Sequence, residues 1–348
     1  MSAAKTDIRS LSKDQLTETM LKLGEKAFRA KQVYEWLWKK SAHSFEEMTN
    51  LSKELRALLE EQFVINAVSI ATQQKSSDKT IKFGFRLHDG HLVEGVLIPT
   101  SERMTACVSS QVGCSLNCKF CATGYMDRKR NLTPDEIYDQ VVLINREALK
   151  NFGIPLSNIV YMGMGEPLLN YSGMMGSVEK ITSPEGLGMS PQRITVSTAG
   201  VAKMIKKLGD DGVRFNLALS LHAANDTKRN EIMPINETNN LDVLAEALNY
   251  FNEKTGTRVT FEYIVFNEVN DTLDDAEELY QFWRKVPSKI NIIEYNPIAF
   301  ADFINAKEDK LDAFIAYLEK KKVIVNVRRS RGKDIDAACG QLAIKEEA

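Results

Sequence analysis

From residue 104 to residue 322 the chain alternates between short apolar runs rich in β-branched residues and longer stretches whose apolar residues recur every three or four positions. The strand-like runs are 104–110, 158–163, 193–198, 216–222, 258–266 and 289–295. The helical stretches between them include 133–149, 171–182, 201–208, 240–254, 271–285 and 307–321. Such alternation predicts a parallel sheet with helices packed outside it. Six repeats fall short of the eight that close a full barrel, so the expected architecture is α/β, an open partial (β/α)6 barrel rather than a doubly wound sheet.

The flanks read differently. Between residues 12 and 63 apolar residues keep helical spacing (Leu16, Met20, Leu21; Val33, Trp36, Leu37; Leu51, Leu55, Leu58, Leu59), with Ser12 and Gln15 as a capping box and Gly24 as a stop. Trp36 and Leu37 are expected in the core. Strand-like runs at 67–72, 80–87 and 91–99, separated by Ser76-Ser77-Asp78 and His88-Asp89-Gly90, predict a β-hairpin leading into the main domain. After residue 322 one strand is expected at 323–327, followed by an Arg-rich turn. The expected division is therefore a helical accessory domain of RNA-binding character (1–65), a hairpin extension (66–103), the partial barrel (104–322), and a C-terminal strand with the loop that carries Cys339 (323–348).

Lys and Arg total 45 against 47 Asp and Glu, a net charge of -2, so a nucleic-acid ligand would have to be held by local basic patches. Residues 1–10 lack the basic, apolar and small-residue succession of a secretory signal. No apolar run approaches the ~18 residues of a membrane helix. A cytoplasmic location is expected, with no membrane partner.

Three of the five cysteines, Cys114, Cys118 and Cys121, fall within one short loop after the first barrel strand, whereas Cys107 and Cys339 stand alone. An odd, clustered set is no disulfide framework and points to metal or redox chemistry. Three thiolates on an iron–sulfur cubane would leave one iron open to a substrate or cofactor. A structural zinc site would need a fourth ligand, for which only His88 and His91, one hairpin upstream, are near in sequence. Each lone cysteine, taken by itself, reads as readily as a small buried hydrophobe.

Barrel active sites lie at the C-terminal ends of the strands. There the sequence places Gly163-Met164-Gly165-Glu166-Pro167, Ser197-Thr198-Ala199-Gly200, Ser220-Leu221-His222 and Glu294-Tyr295-Asn296-Pro297. Glycines permit close backbone approach and a carboxylate can take an amino group. Singly, each also reads as a turn, a helix cap or a core histidine.

The cysteine spacing Cys-x-x-x-Cys-x-aromatic-Cys, with Phe120 at the aromatic position, resembles the fingerprint of the radical S-adenosylmethionine (SAM) superfamily. That resemblance implies one [4Fe-4S] cluster held by Cys114, Cys118 and Cys121. Val93-Glu94-Gly95-Val96-Leu97-Ile98-Pro99, Ser110-Gln111-Val112-Gly113-Cys114, Phe120-Cys121-Ala122-Thr123-Gly124, Gly163-Met164-Gly165-Glu166-Pro167, Ser220-Leu221-His222-Ala223-Ala224-Asn225, Met233-Pro234-Ile235-Asn236 and the Cys339 segment together resemble the RlmN/Cfr family of dual-specificity RNA methyltransferases, from about Gly24 to Leu342. Gly95 departs from the threonine found in many relatives.

By position, the resemblance implies that Gly165, Glu166, Ser197, Ser220, Leu221, His222 and Asn296 hold SAM, two molecules of which are used per turnover. It implies that Cys339 accepts a methyl group, that a 5′-deoxyadenosyl radical removes a hydrogen from it, and that the methylene radical adds to an adenine carbon. Cys107 then releases the RNA by forming a disulfide with Cys339, and Glu94 moves the proton off the base. Pro167 and the Ala223-Ala224-Asn225 context resemble the C2-methylating branch more than the C8-methylating one. The implied partners are 23S rRNA, with the adenosine 3′ of the tRNA anticodon as a target of some relatives, and an electron donor such as flavodoxin or ferredoxin. A monomer is expected. The rival reading is a non-catalytic iron–sulfur protein that binds RNA or carries electrons.

A target adenine must leave its stack to reach a buried site, which favours loop RNA. Candidate phosphate contacts are Arg128-Lys129-Arg130, Lys203 with Lys206-Lys207, Arg328-Arg329 with Arg331 and Lys333, and the accessory helix with Lys26, Arg29, Lys31, Lys39 and Lys40 around Tyr34, Trp36 and Trp38.

Overall fold

The computed structural model describes residues 5–344; the outer ends of the accessory domain and of the C-terminal segment, residues 1–4 and 345–348, lie outside the described residues. The chain opens with β1 (Thr6–Asp7), α1 (Lys13–Lys22), α2 (Phe28–Tyr34), α3 (Lys53–Gln62) and β2 (Phe63–Val64), and β2 pairs in parallel with β1 to close the module. The capping box forms as expected: Ser12 Oγ accepts from the Gln15 amide and the Gln15 side chain accepts from the Ser12 amide. Leu16, Met20, Val33, Leu37, Leu51, Leu55 and Leu59 are buried.

Trp36 corrects the sequence reading. It is only half-buried, its indole N–H bonded to Asn50 and Lys40 Nζ lying 3.7 Å from its ring, while Trp38 is the buried one. Trp38 meets Tyr138 edge to face at 5.3 Å, docking the module on the barrel's first helix. Arg9 makes the polar half of that junction, bonding Asp139 at 2.8 Å and Asp135 at 3.1 Å.

A three-stranded meander follows, β3 (Ser69–Lys75), β4 (Ile81–Arg86) and β5 (Leu92–Pro99), and β6 (Met104–Cys107) runs antiparallel to β5. The predicted hairpin is thus no separate extension; it continues the main sheet. Next come the short pair β7 (Gln111–Val112) and β8 (Arg130–Asn131), α4 (Pro134–Phe152), β9 (Asn158–Tyr161), α5 (Tyr171–Thr182), β10 (Ile194–Thr198), α6 (Ala202–Asp210) and β11 (Asn216–Ser220). The chain goes on through α7 (Asp226–Ile232), α8 (Leu241–Thr255), β12 (Val259–Ile264), α9 (Leu273–Lys285), β13 (Ser288–Ile293), α10 (Glu308–Lys320) and β14 (Val325–Arg328).

The ten-stranded sheet has the order β14-β13-β12-β11-β10-β9-β6-β5-β4-β3 and stays open at both edges. Strands β6 and β9 to β14 are mutually parallel, so the tail strand joins the six predicted ones as a seventh. Aliphatic residues of α4, α5, α6, α8, α9 and α10 pack on its outer face. Inside, a smaller apolar cluster of Phe120, Ala199, Ala223, Ile232, Met233, Ile264, Phe266 and Tyr295 lies under the strand ends. Among the described residues no helix is long and apolar enough to cross a membrane.

Candidate active site

Two loops meet beyond the C-terminal ends of the parallel strands. The first leaves β7 and carries Cys114, Cys118 and Cys121, turned back on itself by bonds from the Cys121 amide to the Cys118 carbonyl (3.2 Å) and from the Gly124 amide to the Cys121 carbonyl (2.9 Å). The second leaves β14 and carries Cys339. The Ala122 amide donates to the Gly340 carbonyl at 2.7 Å, and Thr123 Oγ1 to the Leu342 carbonyl at 2.6 Å, so the loops are joined directly. From the loop after β13, Asn296 Nδ2 donates to the Cys339 carbonyl at 3.1 Å.

Between the loops and the strand ends lies a cleft that opens to solvent. Cys114, Cys118, Cys121 and Cys339 all line it, with Phe120, Gly165, Glu166, Ser197, Ser220 and His222. Burial holds the Cys114 thiol up to about 11 and pushes Cys118 and Cys121 above their ordinary range. Such thiols ionise readily only against a metal's positive charge. Among the described residues no three His, Cys, Asp or Glu side chains converge tightly enough for a single ion. The three thiols of this loop would instead serve as ligands of an iron–sulfur cluster. His88, offered above as a zinc ligand, instead sits 3.3 Å from Glu136.

Glu166 is fully enclosed. Its carboxylate accepts from the Leu168 amide (3.0 Å) and the Ala199 amide (2.8 Å), yet burial pushes it up to about 7. An ammonium group in the cleft would restore its charge. Gly165, at φ +92°, lets this strand end pass over Gln111: a Cβ there would lie 2.5 Å from Gln111 Cβ. Ser197 and Ser220 hydroxyls are 3.3 Å apart. His222 accepts from the Ile264 amide through Nδ1 (3.2 Å), and burial pushes it down to about 3, so it is neutral with its proton on Nε2. Its ring meets Phe120 edge to face at 4.7 Å.

Two of the expected SAM residues stand apart from the cleft wall. Leu221 is buried in the main core, and its carbonyl accepts from Arg229 Nε at 3.0 Å. Asn296 is off the wall too, but its Oδ1 is buried with no partner.

Cys107 ends β6 and is buried beside the wall rather than on it. Burial, and after it the negative charge of Cys339, pushes its thiol up to about 12, while Arg328 acts in the opposite direction. Cys339 is solvent-exposed toward the cleft but sits deep enough that burial raises its thiol, opposed by Arg328. Arg328 also bonds Glu262 at 3.1 Å. The charge of Arg328 thus lowers both lone thiols, opposing their burial. Glu94 lies off the cleft, 3.2 Å from Lys82 Nζ and accepting from the Ala343 amide at 2.9 Å; burial raises its carboxyl. Gly95 has a steric reason: a Cβ there would stand 2.8 Å from the Phe85 ring.

Several of the proposed phosphate contacts are paired with carboxylates of the same chain. Arg130 bonds Asp89 and Glu136, Lys206 bonds Glu246, Lys207 bonds Asp211, and Arg329 and Lys333 both bond Glu294. Sequence reasoning missed Arg229, which is fully buried and donates to the carbonyls of Ala199 (2.7 Å) and Ser220 (3.2 Å) as well as Leu221. It clamps two strand ends behind the cleft, and its charge faces Cys118.

Comparison with known proteins fits this arrangement. Residues 6–65 match the ribosomal RNA large subunit methyltransferase N-terminal domain, and residues 108–282 match the radical SAM superfamily. A probable dual-specificity RNA methyltransferase RlmN of Cytophaga hutchinsonii is 68% identical over 339 residues, covering 97% of this chain and 93% of the relative. The chain belongs to the RlmN family of radical SAM RNA methyltransferases. Another such RlmN relative, from Christiangramia forsetii, is 58% identical over 98% of this chain and 97% of its own length. The crystal structure of a radical SAM methyltransferase from Sphaerobacter thermophilus superposes with a TM-score of 0.91 at 38% identity, covering 97% of this chain and 99% of that one.

Membership in the RlmN family implies SAM and a [4Fe-4S] cluster. The residues fit both. Three thiols line the cleft, and beside it the buried Asn296 Oδ1 has no protein partner, a polar atom that a bound polar group could satisfy.

Proposed function

We propose that this chain methylates carbon 2 of an adenine in the peptidyl-transferase region of 23S rRNA, with the adenosine 3′ of the tRNA anticodon as a second target. The observation that carries this reading is the seating of Cys339 against the three-thiol loop, with Cys107 and Arg328 beside it. An sp² adenine carbon is a poor nucleophile and cannot take a sulfonium methyl as an amine would. A carrier thiol and a releasing thiol answer that need.

When bound, the cluster and SAM supply one-electron chemistry able to take a hydrogen atom from a methyl group; Cys114, Cys118 and Cys121 would hold the cluster. Glu166 would take the amino group of SAM, and neutral His222, Ser197, Ser220 and Asn296 would orient the rest. Cys339 receives the methyl on its sulfur and carries it to the base. Arg328 favours the thiolate of Cys339 first and of Cys107 later. Cys107 attacks the Cys339 sulfur and closes a disulfide, while the electron pair of the broken carbon–sulfur bond stays on the methylene carbon, which takes up a proton as methylated RNA leaves. An external dithiol would reopen the disulfide for the next turnover. Glu94 would accept the proton lost from the adenine carbon. Its bonds to Lys82 and Ala343 mean that the tail beyond Cys339 must shift first.

Two SAM molecules per turnover, an external donor such as flavodoxin or ferredoxin, a monomeric state and a cytoplasmic location complete the proposal. Residues 1–65 would act as an accessory RNA-binding domain on the unit formed by 66–103, 104–322 and 323–348.

Mass spectrometry of 23S rRNA and tRNA fragments after incubation with reconstituted enzyme, SAM and reductant tests the reading. One methyl on adenine carbon 2 is expected; a methyl on carbon 8, or none, overturns it. Glu166→Gln removes the charge while keeping the shape. It should weaken SAM binding about tenfold or more, as for loss of a hydrogen bond to a charged group, measured by equilibrium dialysis. Unchanged affinity would remove Glu166 from the site.

A further inference from the structure

We propose that Tyr125 and Phe300 form a stacking platform at the cleft mouth for the unpaired bases that flank the target adenosine, an inference that rests on the RNA-methylation reading above. The two rings lie 5.2 Å apart at an interplanar angle of 28°, a stacked pair, and both are open to solvent, Tyr125 47% and Phe300 60% exposed. Singly exposed aromatics need no explanation. A stacked pair left in water beside a deep cleft is different, because it could have buried this surface against the protein and does not.

The pair stands on the rim. Tyr125 is two residues beyond Thr123 and four beyond Cys121, both of which line the cleft, and its hydroxyl donates to the Lys119 carbonyl at 3.0 Å. Phe300 lies in the loop that leaves the cleft at Tyr295. That loop is pinned by Asn305, whose Oδ1 accepts from the Tyr295 amide (2.7 Å) and whose Nδ2 donates to the Tyr295 carbonyl (2.8 Å). The platform is therefore held between the three-thiol loop and a braced strand-end loop.

The chemistry favours nucleotides. An adenine that enters the cleft leaves its own stack, so the bases on either side each lose a neighbour. An exposed aromatic face replaces it, and such stacking tolerates any base because every base has a π-face. Phosphates have local partners. Lys119 is exposed and makes no ion pair among the described residues, and exposed Arg128 is held only by the Asn131 side chain at 3.3 Å. These are two of the few cations near the cleft not already taken by carboxylates.

The test measures binding of the reconstituted holoenzyme to a hairpin carrying the target adenosine, and to the same hairpin with abasic sugars on both sides of it, by fluorescence anisotropy under anaerobic conditions. Phe300→Ala should raise Kd on the intact hairpin roughly tenfold or more, the loss expected for one base–ring stack, and should add little on the abasic hairpin. Tyr125→Ala should do the same, and Phe300→Trp should restore binding. Equal losses on both hairpins would mark a merely structural role and overturn the platform, as would unchanged affinity. Unchanged RNA affinity with slower reduction by flavodoxin would also overturn it, giving the surface to a protein partner. If wild-type enzyme leaves the intact hairpin unmethylated, the functional reading fails instead, and the platform with it.

Discussion

Cys107→Ala enzyme, given RNA and SAM, should end joined to its RNA through Cys339, with at most one RNA captured per chain and no free methylated product. Once the carrier sulfur is bonded through a methylene to the adenine, the carbon–sulfur bond is stable to water. It breaks when a second thiolate attacks that sulfur. Cys107 is the thiol placed for this, within the electrostatic reach of Cys339. With Cys114, Cys118 and Cys121 assigned by the proposal to the cluster, no other cysteine of the five remains. The adduct should survive denaturing electrophoresis, disappear on ribonuclease treatment, and map by mass spectrometry to the peptide containing Cys339. Free unmodified RNA with a bare Cys339 thiol would contradict the assignment, and multiple-turnover release of methylated RNA would remove Cys107 from it.

In the wild type the same geometry sets a pH dependence for release. Burial holds the Cys107 thiol well above its ordinary range, so it is mostly protonated at neutral pH and the attacking thiolate is scarce. The thiolate fraction rises with pH. Release measured from a trapped adduct should therefore quicken with pH, roughly tenfold per unit while the thiol stays mostly protonated. A release rate flat across pH 7 to 9 would mean that another step limits it.

The parts of this molecule legible in its sequence are those whose signal is local. Alternation of two periodicities located six of the seven parallel strands and the long helices between them, and 171–182 coincides with α5; β14 was legible only as a tail strand, and the short α7 not at all. The strands end earlier than their apolar runs do: 104–110 stops at Cys107 and 216–222 at Ser220, because residues past the last ladder bond turn out of the sheet to build the cleft. The three-thiol loop was readable because a few residues contain it. Trp36 and Trp38 lie two positions apart and so on different faces of a helix. Only the docking of Tyr138 decides which one is buried. The Arg-rich tail looked like a phosphate clamp because Glu262 and Glu294, which neutralise it, come from β12 and from the loop after β13. Arg229 escaped for a related reason. A Lys-Arg-Asn run at a helix start looks solvated until three carbonyls from distant strand ends close on it.

The largest stability effect should come from Arg9, far from the cleft. Its guanidinium is almost wholly buried between the accessory module and α4, bonding Asp139 at 2.8 Å, Asp135 at 3.1 Å and the Asn66 carbonyl at 2.8 Å, with Asp7 at 3.5 Å. Burial opposes its charge, but Asp139, Asp135 and Asp7 together outweigh that and raise it. Arg9→Met keeps much of the stem and strands the carboxylates, so a loss of about 3–5 kcal/mol is expected, the cost of breaking a buried pair by removing one partner. Asp135 is already held above the usual carboxylate range by burial, with Arg9 pulling it down. In the variant it rises further, so the penalty is greatest at neutral pH and shrinks as falling pH protonates the freed carboxylates. Adding Asp139→Asn to Arg9→Met should recover part of the loss, because it removes one uncompensated charge. Urea unfolding at pH 7 and pH 5 reads all three quantities. A loss below about 1 kcal/mol, the scale of an exposed pair, would mean that water reaches this junction and that Trp38 packing against Tyr138 holds the module by itself.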